Sequence, residues 1–256
     1  MPVKKAGRIL ASLEDWAKYA GPKHARQWVE GRSAQEVARA WLASGEEVPP
    51  EISALLATHD RFGPLLAWDA EPEAKLRFDR FPGEPSNGDL VVSLEDSFGP
   101  YLMTVEAKAD EPYGATVAQT LRAAQAKGHK NPRSKGLIRV KQLAEALFGP
   151  CADEDPGFGV LRYQLLTACA GALCEAERRN DARAILLVHE FITPKTSDAK
   201  HARNAADLDA FVSVLSGGKV PNVTPGSLVG PFHVPGHPLI TTPVDLFIGK
   251  ASRTLR

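Results

Sequence analysis

The segment Ala184-Ile-Leu-Leu-Val-His-Glu-Phe191 constrains this chain more than any other stretch. Its apolar residues do not alternate with polar ones, so a strand built from it is covered on both faces. Strands of that kind lie in the interior of a parallel or mixed sheet, with helices packed above and below. The segment therefore predicts an α/β domain with a central mixed sheet.

The remaining pattern supplies the other elements. Residues 12–20 read as a short helix, with Ser12 and Asp15 in a capping-box arrangement and Gly21-Pro22 as its end. Ala34, Val37, Ala38, Trp41 and Leu42 recur on one helical face after Ser33, and Ser33 with Glu36 predicts a second capping box. Past Pro49-Pro50, residues 51–59 resume as helix. From residue 75 the period changes to two. Strands are predicted at 75–80, 89–94 and 101–108, with a loop at 82–88 and a turn at 95–100, as an antiparallel meander. Helices follow at 116–127, 138–148, 160–179 and 204–216, with an acidic loop at 151–159. The helix at 160–179 is apolar over most of its circumference and is expected to be buried. Short strands close the pattern near Val229–Val234 and Asp245–Ile248. With no repeat and no long linker, residues 1–256 read as a single domain.

Formal charges cancel, with 31 basic and 31 acidic side chains, but they are not evenly spread. Residues 46–111 carry fifteen acids against five bases. Residues 112–144 carry seven bases and no acid: Arg122, Lys127, Lys130, Arg133, Lys135, Arg139 and Lys141. A block of that sort is a candidate phosphate contact, because neutralising a polyanion releases its counterions. Cys151, Cys169 and Cys174 are too few and too irregular for a disulfide framework, which points to a reducing cytosol. Cys169 and Cys174 read as small apolar residues of a buried helix. No run approaches the ~20 apolar residues a membrane-spanning helix needs.

The chemistry is expected where the second and third predicted strands meet. With the turn centred near residues 97 and 98, facing residues sum to about 195 in an antiparallel pair. Asp89 and Glu106 satisfy that sum. Lys108, two residues beyond Glu106, points to the same side of the sheet. Like charges directly opposed across a sheet are destabilising. A divalent cation, or Lys108 itself, would offset them. Mg²⁺ takes carboxylate oxygens and keeps several waters, and an adjacent lysine can orient or deprotonate one of these.

These residues resemble a known family. Gly88-Asp89 followed by Thr104-Val-Glu-Ala-Lys108 is similar to the PD-(D/E)xK motif of restriction-endonuclease-like nucleases, with Gly88 where that motif has proline. The strings Glu106-Ala-Lys-Ala-Asp-Glu-Pro-Tyr-Gly114 and Arg162-Tyr-Gln-Leu-Leu166 resemble a bacterial branch of that superfamily. The resemblance implies an α-β-β-β-α-β core over about 30–195, with the helix at 160–179 as the crossover between the third and fourth strands, an insertion at 112–158 and a C-terminal extension at 196–256. It implies Mg²⁺, with Mn²⁺ as substitute, held by Asp89, Glu106 and the carbonyl of Ala107, and Lys108 as the catalytic lysine. Glu36 would be an outer carboxylate or only a capping acid. Gln164 would sit on the helix beneath the site with Arg162 as a neighbour. The expected function is hydrolysis of phosphodiester bonds, in DNA or alternatively RNA. Arg122, Lys127, Lys130, Arg133 and Lys135 would contact the nucleic acid, and two copies would act on a duplex. A regulatory nucleic-acid-binding module on the same fold, or a hydrolase of small phosphorylated molecules, are the alternatives. Asp110 and Glu111 are expected to be exposed or turn-forming, with a supporting role around the site as the alternative, and His189 to be a core histidine. His233 and His237 have the spacing of a metal pair but no cysteine partner, and are set aside.

Overall fold

The computed structural model describes residues 3–82, 85–150 and 157–255. At its centre is a six-stranded mixed sheet, built on β3 (Ala67–Leu76), β4 (Ser86–Asp96) and β5 (Gly99–Lys108) as an antiparallel meander. β6 (Arg183–Ile192) lies parallel to β5, and β8 (Asp245–Thr254) parallel to β6. β7 (Ser227–Phe232) closes the far edge antiparallel to β8, which gives the spatial order β3-β4-β5-β6-β8-β7. A two-stranded hairpin, β1 (Lys4–Lys5) with β2 (Arg8–Ile9), lies against the β3 edge, where Val3 bridges Ala70.

β6 is the interior strand its composition predicts. Nine of its ten residues are buried, and its side chains divide between two cores by parity. Leu186 and Val188 join one core, with α4 (Val117–Lys130), α5 (Gly136–Phe148), α6 (Tyr163–Arg179) and α7 (Asp198–Leu215). Ile185 and Leu187 join the other, with α1 (Leu13–Ala20), α2 (Ser33–Ala43) and α3 (Pro50–Leu56). The protein is thus a three-layer α/β molecule. Among the described residues no helix is long and apolar enough to cross a membrane. α6 is buried along most of its length, including Cys169 and Cys174, as its composition requires. It packs close to the sheet at Gly171, where a Cβ would come within 2.9 Å of Leu76 Cβ.

Several expectations are corrected. The strand expected at 75–80 runs from Ala67 to Leu76. Its alternation slips at Glu73, which has a left-handed φ of 47°: Ala70 packs in the α1–α3 core, but Ala74 and Leu76 in the α4–α7 core. Pro72 and Glu73 hide the strand from a period-two reading. β4 begins at Ser86, inside the predicted loop, and its turn into β5 is only Ser97-Phe98. The helix expected at 204–216 begins at Asp198. The helix after Pro49 ends at Leu56, and the one expected at 160–179 begins at Tyr163 after a single 3₁₀ turn. The sheet does not stop at β6, because β8 is a full interior strand rather than a short terminal one. Cys151 and most of the acidic loop at 151–159 lie outside the described residues.

Candidate active site

The strands pair in the register that the turn dictates. Leu90 pairs with Val105 and Val91 with Thr104, each pair summing to 195, which brings Asp89 opposite Glu106. Both side chains, with Lys108, belong to the sheet face that α6 covers. They form the floor of a cleft of about 490 Å³ at the C-terminal end of β5. The amide of Ala107 donates to Asp89 Oδ2 at 2.7 Å. Lys108 Nζ donates to Glu106 Oε1 at 2.7 Å and to Gln164 Oε1 at 3.3 Å. Gln164 Nε2 closes the triangle by donating to the same Glu106 Oε1. Gln164 reaches the site because it opens α6, whose first turn stands over the end of β5. Lys108 Nζ also sits 4.9 Å from the centre of the Tyr113 ring, on whose face a cation is attracted.

This geometry leaves Asp89 Oδ1 and Glu106 Oε2 without a donor from any described residue. Two facing carboxylates with one spare oxygen each suit a hard divalent cation, which prefers oxygen ligands. The Ala107 carbonyl lies on the strand between Glu106 and Lys108. Among the described residues no group of three His, Cys, Asp or Glu side chains is pre-formed around one point.

The electrostatics follow from the crowding. Burial, and then the charge of Glu106, hold Asp89 well above the usual carboxylate range, against the pull of Lys108 and the Ala107 amide. Burial works to lower Lys108, but Glu106 and Asp89 outweigh it and keep its ammonium above the ordinary lysine value. Lys108 is therefore a proton donor at neutral pH. Tyr113 is pushed well up, first by burial and then by Glu106, and its hydroxyl has no hydrogen-bond partner among the described residues.

Sequence reasoning missed some of the cleft. Glu73 lines it, and burial raises its carboxyl against the hydrogen bond from Asn87 and the charge of Lys5. Pro72↔Leu90 and Ala74↔Gly88 bracket Glu73 and put it level with Asp89, so three acids lie in a row across β3, β4 and β5. The loop between α1 and α2 brings Lys23, His24 and Gln27 to the opposite wall. No motif marks these loop residues. Glu73 is legible only from a correct placement of β3.

Other candidates lie elsewhere. Glu36 does not cap with Ser33 and does not line the cleft. Its Oε1 accepts from the Gly31 amide at 2.7 Å, Arg39 stands 3.6 Å from its Oε2, and α2 is capped at Arg32 without a side-chain bond. Ser33 Oγ bonds Glu111 Oε1 instead, at 3.1 Å. Glu111 lines the cleft and Asp110 stands 3.5 Å from Arg32 and Lys200, so neither is free in solvent. Arg162 faces away, donating to Gly114 O and pairing with Asp207. Arg122, Lys127, Lys130, Arg133 and Lys135 lie on α4 and the loop after it, and none lines the cleft. Arg139 is taken by Asp79. His189 is a core histidine that contacts Glu51 at 2.8 Å. His233 and His237 pair separately with Asp245 and Glu145.

A family model described as "Domain of unknown function (DUF6946)" matches residues 9–252, which include every side chain of the cleft. No curated protein and no solved structure matches the chain.

Proposed function

The chain belongs to the DUF6946 family, and on the geometry of the β4–β5 cleft we propose that it is a metal-dependent nuclease that hydrolyses phosphodiester bonds in DNA. The observation that carries the reading is the pair Asp89–Glu106, facing across adjacent strands with one unclaimed oxygen each, beside an ammonium that shares Glu106. The order α2, β3, β4, β5, α6, β6, with α3 inserted before β3 and α4–α5 before α6, supports the resemblance to restriction-endonuclease-like nucleases.

Asp89 and Glu106 would hold Mg²⁺ or Mn²⁺, joined by the Ala107 carbonyl. When bound, such an ion polarises a phosphoryl oxygen and lowers the pKa of a bound water. The protein's own groups do the rest. The Ala107 amide fixes the rotamer of Asp89 by binding Oδ2. Gln164 and Lys108 together fix Glu106 through Oε1 and leave Oε2 for the ion. Lys108, held protonated, donates a hydrogen bond to the attacking water or to a non-bridging phosphate oxygen. It stabilises charge as it develops and does not act as the base. Cutting both strands of a duplex asks for two such clefts, so a homodimer belongs to the proposal.

Incubating pure protein with plasmid in Mg²⁺ or Mn²⁺, and in chelator, tests the reading. Nicking or linearisation is expected with metal and not with chelator, and is expected to vanish in Glu106→Gln. Cleavage that survives in both Glu106→Gln and Lys108→Ala would place the chemistry elsewhere.

A further inference from the structure

The floor of the cleft is acidic, so a polyanion must be gripped beyond it. The cleft is not isolated. Pro85 lines both the cleft and a second depression of about 200 Å³, and Arg77, Phe78 and Asp79 line both that depression and a third of about 640 Å³. These shared walls set the three depressions side by side as a groove, from the carboxylates past Pro85 and along residues 77–79 to Glu177 and Arg178 of α6. Four guanidinium groups border its two outer parts: Arg139, Arg77, Arg80 and Arg178. Among the described residues two carboxylates border them too, and both are engaged, while Arg178 is itself paired with Glu175 on its own helix. Asp79 is held by Arg139 and the Phe81 amide, and Glu177 by Thr241 and Thr242. Arg80 is exposed and makes no ion pair with a described residue. Tyr163 and Phe81 add aromatic faces to the same walls. Alternating cations and aromatic faces are what a single polynucleotide strand needs, since phosphates take the cations and bases stack on the rings.

The geometry points to this groove as the track of the nucleic-acid strand that enters the cleft, in place of the Arg122–Lys135 segment expected from charge alone. The inference rests on the nuclease reading for what happens at the cleft, but binding along the groove needs no turnover.

The test is fluorescence anisotropy of a labelled single-stranded DNA of about 20 nucleotides in chelator, across a salt series. Arg80→Ala/Arg178→Ala is expected to weaken binding about tenfold or more. It should also lower the slope of log K against log salt by about 0.7 for every phosphate that is no longer neutralised. Arg80→Glu alone, at a side chain that supports no other, should weaken binding in the same direction. The fivefold variant Arg122→Ala/Lys127→Ala/Lys130→Ala/Arg133→Ala/Lys135→Ala is expected to keep most of the affinity. Unchanged binding in both arginine variants, a loss confined to the fivefold variant, or no binding by the native protein would each overturn the track. Groove-dependent binding without cleavage in Mn²⁺ would leave the track standing and remove the nuclease reading. Cleavage with unaltered binding in the arginine variants would do the opposite.

Discussion

β4 carries an aspartate near each end, and the two lead opposite lives. Asp96 is 2% exposed and its carboxylate is saturated. Arg183 reaches both oxygens, at 2.8 and 2.9 Å, the Phe98 amide donates to Oδ1 and the Gly63 amide to Oδ2. Arg183 is itself shared with the carbonyls of Arg61 and Gly99 and lies 4.6 Å from the centre of the Tyr101 ring. Burial pushes Asp96 up, yet Arg183 and the two amides outweigh it and hold the carboxyl below its ordinary value. Asp89 has one amide donor, an acid for a neighbour and a carboxyl held high. Both sites are crowded and charged. The first is closed, with both carboxylate oxygens doubly bonded by donors. The second is left incomplete, with carboxylate oxygens that face the cleft and take no donor from a described residue. Charge and burial alone do not separate a structural ion pair from a candidate active site, but the unclaimed oxygens do.

The contrast can be broken experimentally. Arg183→Ala strands a buried carboxylate and should cost about 3–5 kcal/mol of stability, read by urea denaturation. A loss under about 1 kcal/mol, the size of an exposed ion pair, would mean that the Asp96 end is no more closed than the other. Asp89→Asn should leave stability unchanged or improved while lowering plasmid cleavage by about 10²–10³-fold, or roughly 3–4 kcal/mol of activation free energy. A destabilised but active Asp89→Asn protein would reverse the roles of the two ends. Divalent cation should sharpen the difference. At a hundredfold excess over its Kd, Mg²⁺ is expected to stabilise the native protein by about 2.7 kcal/mol, to stabilise Arg183→Ala by a similar increment, and to leave Asp89→Asn unmoved in thermal melts.

The smallest effect is the pH dependence, and its sign differs between the ends. Asp96 has a depressed folded pKa, so its contribution is full above the unfolded value of about 3.9 and is lost as pH falls through the folded value. Asp89 has a raised folded pKa, so its contribution is full below about 3.9 and is lost as pH rises through the folded value. Urea midpoints in chelator should therefore lose their acid-side fall in Asp96→Asn. In Asp89→Asn they should lose the decline on the alkaline side of that window. Parallel curves for the two variants would contradict the opposite shifts of the two carboxyls.

What was legible in the sequence divides along physical lines. The facing of Asp89 and Glu106 was readable because a two-residue turn fixes an antiparallel register, and parity then fixes the side of Lys108. β6 was readable because an interior strand needs no alternation. Glu73 was not, because a left-handed residue after Pro72 shifts the pattern, and a period-two reading starts the strand too late in the chain. Gln164 was legible only through a resemblance, since nothing local marks a glutamine that will stand over two strands some sixty residues earlier. The basic block at 122–141 shows the limit of charge counting. Its residues gather on α4, the following loop and the start of α5, but a linear cluster does not say which way a helix faces. The arginines along the groove come from three separate segments, which no window along the chain assembles.

The position of β8 has a consequence for biogenesis. It lies between β6 and β7, so the strand pairing that flanks β6 on one side comes from residues 245–254, far downstream of β6 itself. A nascent or truncated chain that stops short of Asp245 holds β6, seven of whose ten residues are apolar, as an open edge with unpaired amides and carbonyls. Such an edge recruits strands from other molecules. Until the ribosome releases that segment, the open side of β6 is exposed to pairing with other chains.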